Sequence, residues 1–535
     1  MKKTLCALLA FCLILMCMGA AAVAEADGST LIVGEYILDT EVANMNPYVT
    51  TGTRATTLRQ LTYDPLVFFN PLDGTFVPML ATEWAYNEDF TAITFKLREG
   101  VTWHDGEPFN AEDVVFTFNM LNGTTLDTFG LWSKLTSVEA NGDYEVTMNF
   151  SEPFSAFMAY CGSCYIVPEH IWSKEADVAA FLNTEPVGTG AFMFSKYTTG
   201  TDLQYTANKD YWAGCPQVDH LVMEMYNSSP NVTLALMAGD VDCTFGTITM
   251  SYLPQMLAQE NMNLQMYPGM DNYVVSMNQE NELLKDVAVR QAMCMAIDQN
   301  SLISRCEYDA VFPINMAWLP DLFGEYVNSD ANAILQYDTA GAREVLEAAG
   351  YTVGDDGIYQ KDGKRLSFTY YNASGAPAQQ MEAGMIQQYL LNVGIEITPK
   401  IATWAELATI RQQGNFDLIQ LSYALVADPY AALHSFFHSS QTSPSGEASV
   451  GQNYFRYRND EMDALIEQIG VETDEAAKKD LVFKAQDILA NSYLYLPMYN
   501  VGGHIPYYDG NRVTGWSDAY PISCPLNLIG VHPVG

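Results

Sequence analysis

Short apolar runs alternate with amphipathic stretches along most of this chain, and residues 97–118, LREGVTWHDGEPFNAEDVVFTF, show the pattern most clearly. Leu97, Val101 and Trp103 alternate with polar positions as a half-buried strand does, and His104-Asp105-Gly106 supplies a turn in which Gly106 is free to take positive φ. Asn110 is placed to cap the helix that follows. Glu112 and Asp113 lie in its first turn, where the helix dipole favours anions, and Val114, Val115 and Phe118 give it one apolar face. In this reading His104 is a structural turn residue.

The later half repeats a helix-then-strand rhythm. Residues 285–297 carry Val289, Ala292, Met293, Ala296 and Ile297 at helical spacing, with Asp286 as N-cap. Residues 340–349 read as a short helix closed by Gly350. Residues 379–393 read as a longer one with Met381, Met385, Ile386, Tyr389 and Leu390 on one face; Gly394 ends it, and residues 395–398 read as a strand. Helix followed by short strand predicts crossover units in an α/β sheet. Residues 439–451, SSQTSPSGEASVG, are polar enough to predict a mobile surface loop, and no internal repeat interrupts the pattern.

At the N-terminus, Lys2 and Lys3 precede an apolar run over residues 5–18 and small residues ending at Ala24 and Ala26. This predicts a secretory signal peptide over residues 1–26. Cys17 offers a lipoprotein alternative, although Ile14-Leu15-Met16 lacks the small residue a lipobox places before its cysteine. No later run approaches the roughly 20 apolar residues that span a bilayer, so the mature chain is expected to be periplasmic or associated with the cell surface. Its length exceeds what one core usually supports, which predicts two or three domains. The formal charge of −39 disfavours nucleic acid and anionic membrane, and favours cationic or neutral solutes. Seven cysteines follow the signal segment, an odd number. Cys161 and Cys164 have the spacing of a redox or zinc half-site; with no second such pair, they read as a local disulfide or as two small buried residues.

Other motifs run in order along the chain: Tyr63-Asp64-Pro65-Leu66-Val67, Pro78-Met79-Leu80-Ala81, Pro168-Glu169-His170-Ile171-Trp172, Pro186-Val187-Gly188-Thr189-Gly190, Asn208-Lys209-Asp210-Tyr211-Trp212, Gly239-Asp240-Val241-Asp242 and Val289-Arg290-Gln291-Ala292. Together with residues 97–118 this series resembles family 5 of the extracellular solute-binding proteins, the dipeptide, oligopeptide and nickel receptors of ABC importers. The resemblance implies an α/β, two-lobed, hinged periplasmic-binding-protein fold of the cluster C kind with an extra inserted domain. Lobe I would take residues 27–65, 186–269 and 497–535, the inserted domain 66–185, and lobe II 270–496. It also implies a monomeric receptor that captures a peptide or peptide-like solute, performs no reaction, needs no cofactor or structural metal, and delivers its solute to an ABC permease and its ATPase subunits.

Residues 417–429, DLIQLSYALVADP, correspond to the ligand-facing strand and loop of that family. Dipeptide and oligopeptide receptors place an Asp three residues before the Asp-Pro pair to hold the peptide's ammonium, and that position here is Leu425. Residues 371–377, YNASGAP, likewise contain no arginine for a peptide carboxylate. A buried ammonium without a carboxylate loses several kcal/mol, so a short zwitterionic dipeptide is disfavoured unless Asp428 or Asp417 substitutes. The resemblance turns Tyr370, Tyr371, Trp404 and Tyr423 toward the cleft, and residues 44–48, NMNPY, bring Tyr48 to its edge. These aromatics suit peptide planes and sugars alike, which keeps an oligosaccharide open as solute. His434 and His438, one helical turn apart, keep a metal chelate open as well. A secreted hydrolase is the distant alternative, since no GxSxG, HExxH or Cys-His arrangement is present.

Overall fold

The computed structural model describes residues 28–535, except 39–41, 43, 50–54, 129, 247, 333–335 and 375–376. The signal segment and Cys17 lie outside the described residues. Buried apolar side chains fall into separate cores rather than one. In lobe I, strand Thr30–Tyr36 pairs in parallel with His220–Tyr226, and Asp202–Ala207 and Phe192–Thr198 extend the sheet antiparallel. Lobe II holds a six-stranded sheet in the order Phe312–Pro313, Tyr495–Tyr508, Met262–Met277, Leu418–Ala424, Ser367–Ala373, Glu396–Ala402. The last three run parallel, as helix crossovers require. No described helix is long and apolar enough to cross a membrane.

Strands Met262–Met277 and Tyr495–Tyr508 belong to both lobes. Their register runs from Met262 opposite Tyr508 to Tyr267 opposite Gly503, breaks, and resumes from Asp271 opposite Val501 to Ser276 opposite Tyr495. Cys243 bridges Tyr507 on one side and Val33 on the other, which ties the lower half to lobe I. At the break the backbones crowd: a Cβ on Gly502 would stand 1.7 Å from the Tyr267 carbonyl, and one on Gly269 2.0 Å from the Val501 carbonyl. Only glycine permits that approach. The crossing point is therefore held by backbone contacts and is thin in side chains.

The inserted domain is a four-stranded antiparallel sheet in the order Ala81–Tyr86, Ala92–Leu97, Glu145–Phe150, Leu135–Ala140, with helix Ala111–Leu121 against it. Asn110 caps that helix in a reciprocal box with Asp113, whose carboxylate also accepts from Glu169 N and Trp103 Nε1. The strand stops at Leu97, and Val101 and Trp103 are buried beside a separate bridge between Thr102 and Pro108. Gly106 has φ +93°. The His104 ring accepts from Gly188 N at 3.3 Å and contacts the Gly190 carbonyl through Nε2 at 2.9 Å, and burial pushes its pKa down to about 4. A neutral imidazole thus fastens the inserted domain to lobe I.

Two expectations change. Helix Pro377–Asn392 buries Ile386 and Leu390 as anticipated, but Met381 is exposed and Glu382 takes the inward position, because the helix is rotated by about one residue from its apolar reading. Residues 439–451 are tied down and do not form a free loop. Arg456 is buried among them and donates to Thr442 Oγ1, the Ser443 carbonyl and the Gln412 carbonyl, so polar composition there serves a buried guanidinium. Cys161 and Cys164 are free and buried, and burial raises both thiols.

Candidate functional site

A cavity of about 510 Å³ opens at the crossing point between the lobes. Lobe I contributes Glu35, at the end of its first strand, and Phe245-Gly246; the crossing strands contribute Tyr267, Asp271 and His504. Glu35 is almost fully buried and accepts from Phe245 N at 3.2 Å. Asp271 pairs across the sheet with Ala424, the last residue of the lobe II strand, which precedes Leu425 in the chain. Burial raises the Asp271 pKa, and Ser422 Oγ lies 3.5 Å from its carboxylate. The backbone around Asp271 is held by Asn500, which donates to the Asp271 carbonyl at 3.1 Å and accepts from Gly269 N at 2.7 Å. His504 Nδ1 is buried without a hydrogen-bond partner among the described residues, and burial lowers its pKa. Two carboxylates in one concave site between the lobes suit a cationic group of a solute.

The residues singled out from sequence do not converge on that cavity. Tyr423 is in the lobe II core, stacked on Phe455 with centroids 5.1 Å apart, its hydroxyl bonded to Ser276 at 2.8 Å. Tyr370 is fully buried on the opposite face of the same sheet. Both strands bury both of their faces, so alternation could not tell which residues meet the cleft. Tyr371 instead faces a different cavity, shared with Asp417, at the amino ends of the parallel strands; Asp417 there accepts from Asn281 and Thr369 N. Trp404 is 59% exposed, in the first turn of helix Trp404–Gln413. Asp428 caps helix Pro429–Phe437 through Ala431 N at 2.8 Å and approaches Ser155 Oγ at 3.4 Å and Lys478 Nζ at 4.0 Å. The His434 and His438 rings stack at 4.7 Å, and His434 is pushed down to about 4 by burial and then by His438. Among the described residues no group of three or more His, Cys, Asp or Glu side chains is placed to hold a metal ion. Tyr48 donates to the Tyr165 carbonyl and lines a third cavity.

Comparison with known proteins fits the hinged architecture. The family model for bacterial extracellular solute-binding proteins, family 5 Middle, matches residues 75–444. The chain belongs to family 5 of the bacterial extracellular solute-binding proteins. Like other members, this family 5 chain has curated relatives: the oligopeptide-binding protein AppA of Bacillus subtilis is 29% identical over 391 residues, covering 70% of this chain and 69% of that one. A periplasmic oligopeptide-binding protein from Thermotoga maritima shares the fold at a TM-score of 0.81 and 23% identity, over 94% of this chain and 99% of its own. NikZ from Campylobacter jejuni, solved with Ni(L-His), shares it at 0.73 and 22%, over 94% and 99%.

Within this family 5 fold, Leu425 is mostly buried and its amide donates to the Met270 carbonyl at 2.6 Å. The position three before the Asp-Pro pair is therefore apolar in structure as well as in sequence. Sequence reading missed Glu35, Asp271 and His504. The available signal was a charged residue within each of three otherwise strand-like segments, VGEY, GMDNY and GGHIP, where an inward charge needs a reason.

Proposed function

We propose that the protein is the extracellular solute-binding component of an ABC import system, closing its lobes on a peptide or peptide-like solute whose amine faces Asp271 and Glu35. The solute is passed to a membrane permease driven by ATPase subunits on other chains, and the receptor acts as a monomer without performing a reaction. The observation that carries this reading is the acid-lined cavity at the point where two long strands run from one lobe into the other. The domain borders read from sequence belong to the same proposal, with an acyl anchor on Cys17 as the alternative to cleavage at the end of the signal segment. So does the role of Asp271 in place of the carboxylate absent at Leu425.

Native mass spectrometry of the gently purified mature protein tests it first, because a co-purified solute can be released and fragmented. Amide-type fragments support a peptide; a hexose ladder or a metal chelate would replace it with a non-peptide solute in the same role. With a peptide in hand, Asp271→Asn is expected to weaken binding by about 10-fold or more for a free amino terminus, since bonds to charged groups contribute about 1.5–3 kcal/mol. The N-acetylated peptide should lose little. Equal losses for both peptides would remove Asp271 as the amine's partner.

A further inference from the structure

A cavity of about 380 Å³ lies where lobe I, the inserted domain and the C-terminal segment meet, and no lobe II residue lines it. Phe68, Phe69 and Met79 give it apolar walls. Arg59, on helix Ala55–Thr62, also lines it, and Arg59 Nη2 is buried with no hydrogen-bond partner among the described residues. The carboxylate that lines the same cavity, Asp64, is already spent: it accepts from Thr189 Oγ1 at 3.0 Å, Tyr211 OH at 3.1 Å and Trp212 Nε1 at 2.9 Å. The groups acting on the Arg59 charge are Tyr165 and Tyr48, neither of them an anion at neutral pH. Burial lowers the Arg59 pKa, yet a guanidinium starts so high that it stays charged.

A desolvated cation without a counter-ion is costly. It is more telling in a chain of formal charge −39, where carboxylates are abundant and the one at hand is bonded elsewhere. The planar guanidinium fork matches a carboxylate, which it can hold through two parallel bonds. We infer that this cavity is a second binding site, for a small carboxylate with an aromatic or aliphatic body, its carboxylate paired with Arg59 and its body against Phe68, Phe69 and Met79. This goes beyond the import reading, because the ligand touches no lobe II residue and its capture needs no lobe closure.

Isothermal titration of the mature protein with 4-phenylbutyrate, and with 4-phenylbutanol as its uncharged counterpart, tests the site. The acid is expected to bind at least tenfold more tightly than the alcohol. Arg59→Gln removes that advantage while the alcohol still binds, and Arg59→Lys keeps part of it. Ala159→Phe, which fills the cavity from the inserted-domain wall and leaves Arg59 in place, abolishes binding of both compounds. Circular dichroism melts on each variant confirm that it is folded before titration. An acid that binds no better than the alcohol, or an Arg59→Gln protein that keeps the acid's advantage, overturns the proposal. Lobe closure on the solute, followed by small-angle scattering, persists in Arg59→Gln; its loss there would show that the two sites are one.

Discussion

Asp64 and Glu382 are both buried carboxylates, in different parts of the molecule, and their surroundings differ in kind. Asp64, where lobe I meets the inserted domain, collects three neutral donors from two separate motifs: Thr189 from one, Tyr211 and Trp212 from the other. Glu382, in the lobe II core, accepts from Tyr499 OH at 2.8 Å and Gln420 Nε2 at 2.6 Å, and its remaining partner is a second acid, Glu307, which donates its proton to it. Burial raises both sites. Asp64 reaches about 6 because the donors offset part of the desolvation, whereas Glu307 reaches about 8 because the Glu382 charge adds to its own burial. At pH 7 Asp64 is mostly ionised, whereas the Glu307–Glu382 pair holds a shared proton. How a buried carboxylate behaves is thus decided by its donors, and depth alone does not settle it.

The sharpest way to break this contrast is truncation. Asp64→Ala leaves three buried donors without an acceptor and is expected to cost about 3–5 kcal/mol, read from urea unfolding of the mature protein at pH 7. Glu382→Gln keeps the shape and one acceptor oxygen and turns the other oxygen into an amide donor that the Glu307 carboxyl group can accept, so it is expected to cost about 1–2 kcal/mol, less than Asp64→Ala. Similar losses for the two would erase the distinction.

A titration sharpens it next. The folded pKa of Glu307 lies near 8 against 4.5 for the free group, so the fold retains a proton that the unfolded chain releases. The stability it contributes is complete below pH 4.5 and is lost as pH rises through 8. Asp64 has the same sign in a lower window, between 3.8 and about 6. The melting temperature should therefore fall by several degrees from pH 6 to pH 8.5, and Glu307→Gln should flatten that part of the curve. An unchanged slope in the variant would mean that Glu307 shares no proton with Glu382.

Much of the first site was visible in sequence and almost none of the second. Tyr63-Asp64, Gly188-Thr189-Gly190 and Tyr211-Trp212 stood out because they belong to the ordered series of motifs that resembles family 5. What the chain could not display is that they meet at one carboxylate, nor that a Cβ on Gly188 would come within 1.8 Å of the Thr62 carbonyl. The caps at Asn110 and Asp286 are local, and local signals read well. Glu382 stayed hidden because a helix was assigned its apolar face from neighbours three and four residues apart, and one inward acid among them resembles an exposed one. Asp271, Glu35 and Arg59 stayed hidden for a related reason: each matters through a partner or a cavity that is distant in sequence.

The smallest expected effect carries the contrast to single hydroxyl groups. Tyr423 and Tyr370 are both buried in lobe II, and differ in that Tyr423 OH is bonded to Ser276 Oγ while Tyr370 OH has no partner among the described residues. Replacing a tyrosine by phenylalanine removes the hydroxyl and little else. Tyr423→Phe should therefore cost about 1 kcal/mol, with part of that coming from the stranded Ser276 hydroxyl. Tyr370→Phe should be neutral or slightly stabilising, since it deletes a buried polar group that makes no bond. Calorimetric melts of the two variants at one pH decide the matter. A Tyr370→Phe loss as large as that of Tyr423→Phe would mean that the Tyr370 hydroxyl is bonded after all, and Glu382, the acid whose charge acts on it, would then count one more donor and move toward the Asp64 kind of site.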